Sequence, residues 1–202
     1  MLVERNVVDL ADFRSMPVLP LGPRTRFLYV GKIIEAKGIA FVLECLASLP
    51  TDLDFEIDIL GGGELEQPLR QKYAGDRRIR FHGVCGRAEV ARHYQNATVL
   101  LVPSLWFEPA GLVIYQAQAA SLPVVGSDSG GIPESLAGRG DSIILPAGDR
   151  AAWTAQLKTL ISDRDAVMRL RASACQLARE AGDALEARGH RVVEMCRRLI
   201  ES

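Results

Sequence analysis

The residues best suited to chemistry gather in one stretch, Ser104-Leu-Trp-Phe-Glu108-Pro109-Ala110-Gly111-Leu112-Val113-Ile-Tyr-Gln116-Ala-Gln-Ala. It follows an apolar run and opens a helical pattern. Glu108 and Gln116 stand eight apart with Leu112 midway, so all three share a face if helical geometry reaches back to Glu108. Gly111 and Leu112 then offer free backbone N–H groups at a helix amino end. That end carries roughly +0.5 of an elementary charge and is a ready anion site. Glycines are also clustered at Gly31–Gly38, Gly61–Glu64, Gly83–Arg87 and Asp128–Glu134. They fit tight turns that need positive φ, or close backbone approach to a phosphate; glycine alone does not decide between these.

Short apolar runs must position these loops. Arg26–Lys32, Phe55–Leu60, Ile79–His82, Thr98–Pro103, Pro123–Ser127 and Ser142–Leu145 read as strands. Several are nearly all apolar, as strands buried on both faces should be. Helical patterns lie between them at Gly38–Leu49, Leu65–Tyr73, Arg87–Asn96 and Leu112–Ala120, and two or three more follow from Arg150. This alternation predicts an α/β fold: a Rossmann-like open parallel sheet of about six strands with helices on both faces. Ligands of such sheets sit beyond the carboxyl ends of the strands, where the glycine loops fall. Residues 1–25, punctuated by Pro17, Pro20 and Pro23, read as a linker entering a single domain over 26–202. A linker there suggests a preceding segment.

The chain has 202 residues, 48% hydrophobic, with a net charge of −1. This excludes disorder and gives no footprint for nucleic acid. Cys45, Cys85, Cys175 and Cys196 form no CxxC pair and no zinc spacing with histidine, which fits reduced thiols and a cytoplasmic location. No run is long enough to span a bilayer, and the start lacks a signal-peptide pattern.

Taken together, these segments resemble the C-terminal domain of a retaining GT-B glycosyltransferase of family 4, or group 1. The family's Glu–seven residues–Glu pattern reads here Glu108-Pro-Ala-Gly-Leu-Val-Ile-Tyr-Gln116. Gly31-Lys32-Ile-Ile-Glu-Ala-Lys37-Gly38 resembles the basic loop that grips the donor diphosphate. Leu60-Gly61-Gly62-Gly63-Glu64 resembles the glycine loop after the second strand. Phe81-His82-Gly83-Val84 resembles the strand end that holds the base, and Gly130-Gly131-Ile132-Pro133-Glu134 the turn near the donor. Asn6-Val-Val-Asp9-x-x-x-Phe13 resembles the hinge between the two GT-B domains.

The resemblance implies a nucleoside-diphosphate sugar as donor substrate, with no cofactor. Lys32, Lys37 and the Gly111/Leu112 amides would stabilise charge developing on the leaving diphosphate, as an oxyanion hole does, so no metal is required. Glu108 would hold sugar hydroxyls and residue 116 the ribose hydroxyls. No protein nucleophile is assigned. The acceptor-binding domain that precedes the hinge in the family is missing, so the chain is expected to need that domain or a separate partner subunit and to be inactive alone. Contact with a membrane surface is left open. Two residues depart from the pattern. Lys32 stands where Arg is frequent, giving a point charge without a bidentate fork. Gln116 replaces the second Glu and can accept a hydroxyl only without charge.

Other readings compete. Lys32 and Lys37 also fit solvated loop lysines, Glu108 a helix-start acid, and Gln116 and Glu134 helix surface. His82 fits a structural role as well as a functional one, and His93 and His190 read as structural. Asp52-Leu-Asp54-Phe-Glu56 mimics a metal-binding DxD but reads as solvated, and Arg77-Arg78-Ile-Arg80 as a solvated turn. Gly126-Ser-Asp128-Ser-Gly130 mimics a hydrolase elbow with Asp128 as nucleophile and His190 as its only downstream histidine. Gly61-Gly-Gly63-Glu-Leu-Glu66 lacks the third glycine of a dinucleotide fingerprint. A non-catalytic sugar-nucleotide-binding module or scaffold, favoured by Gln116, and an epimerase of related architecture complete the alternatives.

Overall fold

The computed structural model describes residues 10–14, 20, 22–108 and 111–181. The six apolar runs form β1 (Thr25–Val30), β2 (Phe55–Leu60), β3 (Ile79–Gly83), β4 (Val99–Val102), β5 (Val124–Ser127) and β6 (Ser142–Leu145). They pair in parallel in the order β3-β2-β1-β4-β5-β6. Helices α1 (Ala11–Arg14), α2 (Ile39–Ala47), α3 (Glu66–Lys72), α4 (Arg87–Asn96), α5 (Leu112–Ala119), α6 (Ile132–Leu136) and α7 (Arg150–Ser162) connect and flank them. Helical backbone resumes over 164–181.

Strand alternation divides the apolar side chains between two cores. Phe27, Tyr29, Phe55, Ile57 and Ile59 meet α2 and α7 through Val42, Leu43, Leu46, Trp153 and Leu157. Leu28, Leu60, Leu100, Val102 and Val124 meet the other layer through Ala91, Tyr94, Ile114, Ala117 and Leu136. Both sheet faces are therefore covered, which is why the central strands β4 and β5 are buried throughout. Within α7, Asp149 caps the first turn by accepting from the Ala152 N–H at 3.0 Å, and the Trp153 indole donates to the Pro146 carbonyl at 3.1 Å.

Three features depart from the sequence reading. The proline-rich arm contains one helical turn, α1, whose Phe13 is buried edge-on against Tyr94 with ring centroids 5.2 Å apart. The Gly130–Glu134 turn runs directly into α6. The acidic and basic runs are not solvated throughout. Glu56 is only 3% exposed and is gripped by Arg24 and, at 3.0 and 2.8 Å, by Arg80. Arg78 clasps Asp76 and covers the Phe55 ring. Asp52 and Asp54 are exposed, as expected.

Candidate functional site

The strand order reverses its direction of growth between β1 and β4, and this switch point leaves a crevice beyond their carboxyl ends. A cavity of about 420 Å³ occupies it. The loop after β1 supplies Gly31, Lys32, Ile34 and Lys37. The loop after β4 supplies Pro103, Ser104 and Glu108, and the amino end of α5 supplies Gly111, Leu112 and Val113.

Each wall is fixed by backbone. The Tyr29 hydroxyl donates to the Lys32 carbonyl at 2.6 Å. Ile33 N–H donates to the Gly62 carbonyl at 2.9 Å and Leu65 N–H to the Ile33 carbonyl at 3.0 Å, which ties the Gly61–Glu64 loop to the lysine loop. Gly61 has φ +129°, and a Cβ there would meet the Gly31 carbonyl oxygen at 1.9 Å. The glycines of this loop therefore serve loop-on-loop packing first. Lys37 ends a single 3-10 turn and donates to the Glu108 carboxylate. Gly131 N–H donates to the Glu108 carbonyl at 2.7 Å, and the Ser129 hydroxyl to the Trp106 carbonyl at 2.7 Å. The loop after β5 thus clamps the segment that carries Glu108.

Of the residues expected in the site, Gly31, Lys32, Lys37, Glu108, Gly111, Leu112 and Val113 line one cavity. Helical geometry does not reach Glu108, because α5 begins at Leu112 with Gly111 as its N-cap. Glu108 enters the cavity from the loop, so the shared helix face does not extend to it. Gly61, Gly62, Gly63, Gly83 and Val84 form an adjoining rim, where Gly61 N–H donates to the Gly83 carbonyl at 2.7 Å. Gly130 and Gly131 stand behind Glu108, and Glu134 is exposed on α6. Gln116 is half-buried, and its Oε1 accepts from the Tyr94 hydroxyl at 3.1 Å. His82 bonds Asp58 at 2.6 Å. Pro109, Ala110, the Asn6–Asp9 part of the hinge pattern and His190 lie outside the described residues.

Two polar lining residues, Tyr29 and Ser104, were not among the expected site residues. Tyr29 precedes the glycine loop by two positions. Burial, and then the Glu108 charge, raise its phenol, so it remains a neutral donor. Ser104 is buried in the loop just after β4, with its Oγ 3.5 Å from Glu108 Oε2 and its carbonyl accepting from Ser127 Oγ at 2.6 Å. A serine directly after an apolar strand was the available signal. Chemically, two ammonium groups and a helix amino end suit a diphosphate, and a carboxylate beside them suits a sugar hydroxyl.

The sequence pattern of the family Glycosyl transferases group 1 matches residues 24–163. The chain belongs to this family.

This group 1 chain corresponds to the C-terminal domain. It is 34% identical over 164 residues to the phosphatidyl-myo-inositol mannosyltransferase of Mycolicibacterium smegmatis, covering 78% of this chain and 42% of that protein. It superposes on Anabaena Alr3699/HepE, solved with UDP and glucose, with a TM-score of 0.69 at 17% identity over 90% of this chain and 55% of that one. The C-terminal domain of the group 1 protein LpcC from Francisella tularensis gives a TM-score of 0.67 at 19% identity, over 79% of this chain and 87% of that one. The chain thus spans less than half the length of the curated relative and most of an isolated C-terminal domain. Group 1 membership displaces the hydrolase and oxidoreductase readings. Asp128 also lacks the strain of a nucleophile elbow: its φ is not positive, and its carboxylate accepts from the Ala147 N–H at 2.7 Å. Among the described residues no helix is long and apolar enough to cross a membrane.

Proposed function

We propose that this chain is the donor-binding half of a retaining glycosyltransferase, taking a nucleoside-diphosphate sugar in the cavity between β1 and β4. The observation that carries the reading is the convergence of Lys32, Lys37, Glu108 and the amino end of α5 on that one cavity.

The donor diphosphate lies against the α5 amino end, with Lys32 and Lys37 over its oxygens. As the glycosidic bond breaks, negative charge grows on the leaving diphosphate. Preorganised cations and amides stabilise that charge without reorganising. Glu108 accepts from sugar hydroxyls and orients the ring. These groups suffice to neutralise the leaving group, so the donor needs no metal. Departure and attack on the same sugar face give retention without a protein nucleophile. Residue 116 lies farther along α5 and serves the ribose. Relatives of which the match covers less than half support an acceptor site supplied by another domain or a partner subunit. The chain by itself then binds nucleotide and transfers little sugar.

Saturation-transfer NMR with UDP, GDP and ADP tests this. At least one nucleotide should show contact, lost in the Lys32→Ala/Lys37→Ala double variant. Absence of contact with all three, or undiminished contact in the double variant, overturns the reading.

A further inference from the structure

Three side chains from three elements converge on the sheet face opposite the Trp153 core. Asp58 lies within β2 between Ile57 and Ile59, both fully buried toward α2 and α7, so alternation turns Asp58 toward α4. β3 pairs with β2 through Ile59↔Phe81 and then Leu60↔Gly83, which leaves His82 as the extra residue of a bulge. Bulges re-aim side chains, and this one aims an imidazole at Asp58. His82 Nε2 is 2.6 Å from Asp58 Oδ1, and His93 of α4 places Nδ1 3.8 Å from Asp58 Oδ2. The two rings are 4.4 Å apart, and the three ligand atoms lie within 4.8 Å of one another. The side chains are 18%, 27% and 18% exposed for Asp58, His82 and His93, so an ion can reach them.

We propose that Asp58, His82 and His93 form a binding site for a divalent transition-metal ion of the zinc class. Two imidazole nitrogens and one carboxylate oxygen are a zinc donor set with a fourth position left for water. Magnesium and calcium prefer oxygen ligands throughout and are disfavoured by two imidazoles. Bonds of about 2.0–2.2 Å to a central ion hold tetrahedral ligand atoms roughly 3.3 Å apart. The observed 2.6 and 3.8 Å separations bracket that value, so small side-chain rotations complete the geometry. None of the three residues lines the donor cavity. The ion would instead pin β2, the bulge of β3 and α4 together, just before the Gly83–Val84 rim. The site does not depend on the donor reading.

The test uses the whole chain, stripped with chelator and dialysed against Zn²⁺, with bound metal counted by mass spectrometry. The expected result is one equivalent, weakened about tenfold or more in His82→Gln and in His93→Gln. Cobalt loading of the unaltered chain should give tetrahedral visible bands without a thiolate charge-transfer band, and zinc X-ray absorption should report two imidazoles. These two readouts need no variant and stand even if a substitution disturbs folding. Cys85→Ser should bind as the parent does. Binding that survives both histidine substitutions, a thiolate band that disappears in Cys85→Ser, or no bound zinc overturns the proposal.

Discussion

Lys37 and Glu108, carried by loops that follow the neighbouring strands β1 and β4, are ion-paired inside the cavity, with Nζ donating to Oε2. Their side chains are 32% and 14% exposed, so the pair is partly withdrawn from water. The cation suited to a diphosphate is thus held by the carboxylate suited to a sugar. Under the proposed function, phosphate oxygens would take over Lys37 on donor binding and release Glu108 to a hydroxyl. The apo pair keeps both groups satisfied and in place until then.

Substitutions at the two partners should therefore move nucleotide affinity in opposite directions. Lys37→Ala removes a charge-assisted bond and leaves the carboxylate facing the diphosphate, so UDP binding should weaken about tenfold or more. Glu108→Gln removes a competitor for Lys37 and a like charge near the phosphates, so UDP binding should tighten by about threefold. Titration calorimetry on the chain measures both. Equal weakening by the two variants would show that the pair is a fixed strut and does not open for the donor.

Gly130 should not tolerate alanine. Its φ is +60°, and a Cβ would stand 2.4 Å from the Glu108 backbone nitrogen and 2.5 Å from its carbonyl oxygen. Left-handed strain alone costs about 1–2 kcal/mol, and the contact forces the Glu108 segment to shift. Gly130→Ala should lower the urea midpoint and weaken UDP binding, although residue 130 does not line the cavity. Parental affinity in a folded Gly130→Ala protein would refute this coupling.

The fold was legible because both faces of the sheet are covered. Six largely apolar runs of four to seven residues marked all six strands, with offsets of one or two residues at the ends of some. The cavity was legible where residue type and loop position agreed, as at Lys32, Lys37, Glu108 and Gly111. It was not legible where the signal depends on a partner far along the chain. Tyr29 read as a strand residue and Ser104 as the start of a loop with no role of its own, until the fold sets them beside Lys32 and Glu108. His93 showed no partner because Asp58 meets it from β2, far back along the chain, and the bulge that aims His82 at the same carboxylate leaves no mark in the sequence. The helical spacing from Glu108 to Gln116 misled because Gly111 restarts the helix. Glu56 looked solvated until its three arginines arrived from β1, β3 and the segment before β1.

Those arginines give Glu56 a pH signature. Burial pushes its carboxyl up, but the bond from Arg24 and the charges of Arg80, Arg26 and Arg24 outweigh this and hold it below the usual glutamate range. A depressed folded value means stability is fully present above the unfolded glutamate range and is lost as pH falls through the folded one. The arginines remain charged throughout. Glu56→Gln should cost about 1–3 kcal/mol at neutral pH and flatten the acid limb of the stability profile. Urea midpoints between about pH 7 and pH 3 bracket the glutamate range and check this. An acid limb as steep in Glu56→Gln as in the parent would assign the effect to other carboxylates, Asp76 beside Arg78 foremost.

Gln116 offers a test of the ribose assignment that leaves the diphosphate site untouched. Its Oε1 faces the Tyr94 hydroxyl, which leaves its amide nitrogen as the group free to meet a sugar hydroxyl. A glutamate there keeps an oxygen for Tyr94 and turns the second oxygen outward as a charged acceptor. Charged acceptors contribute about 1.5–3 kcal/mol against about 0.5–1.5 for neutral ones, so Gln116→Glu should tighten UDP roughly tenfold. Inorganic pyrophosphate, which has no ribose, should bind the variant and the parent alike. The two ligands separate the possibilities. An equal change for both would point to a general electrostatic effect on the cavity, and no change for UDP would remove residue 116 from the ribose.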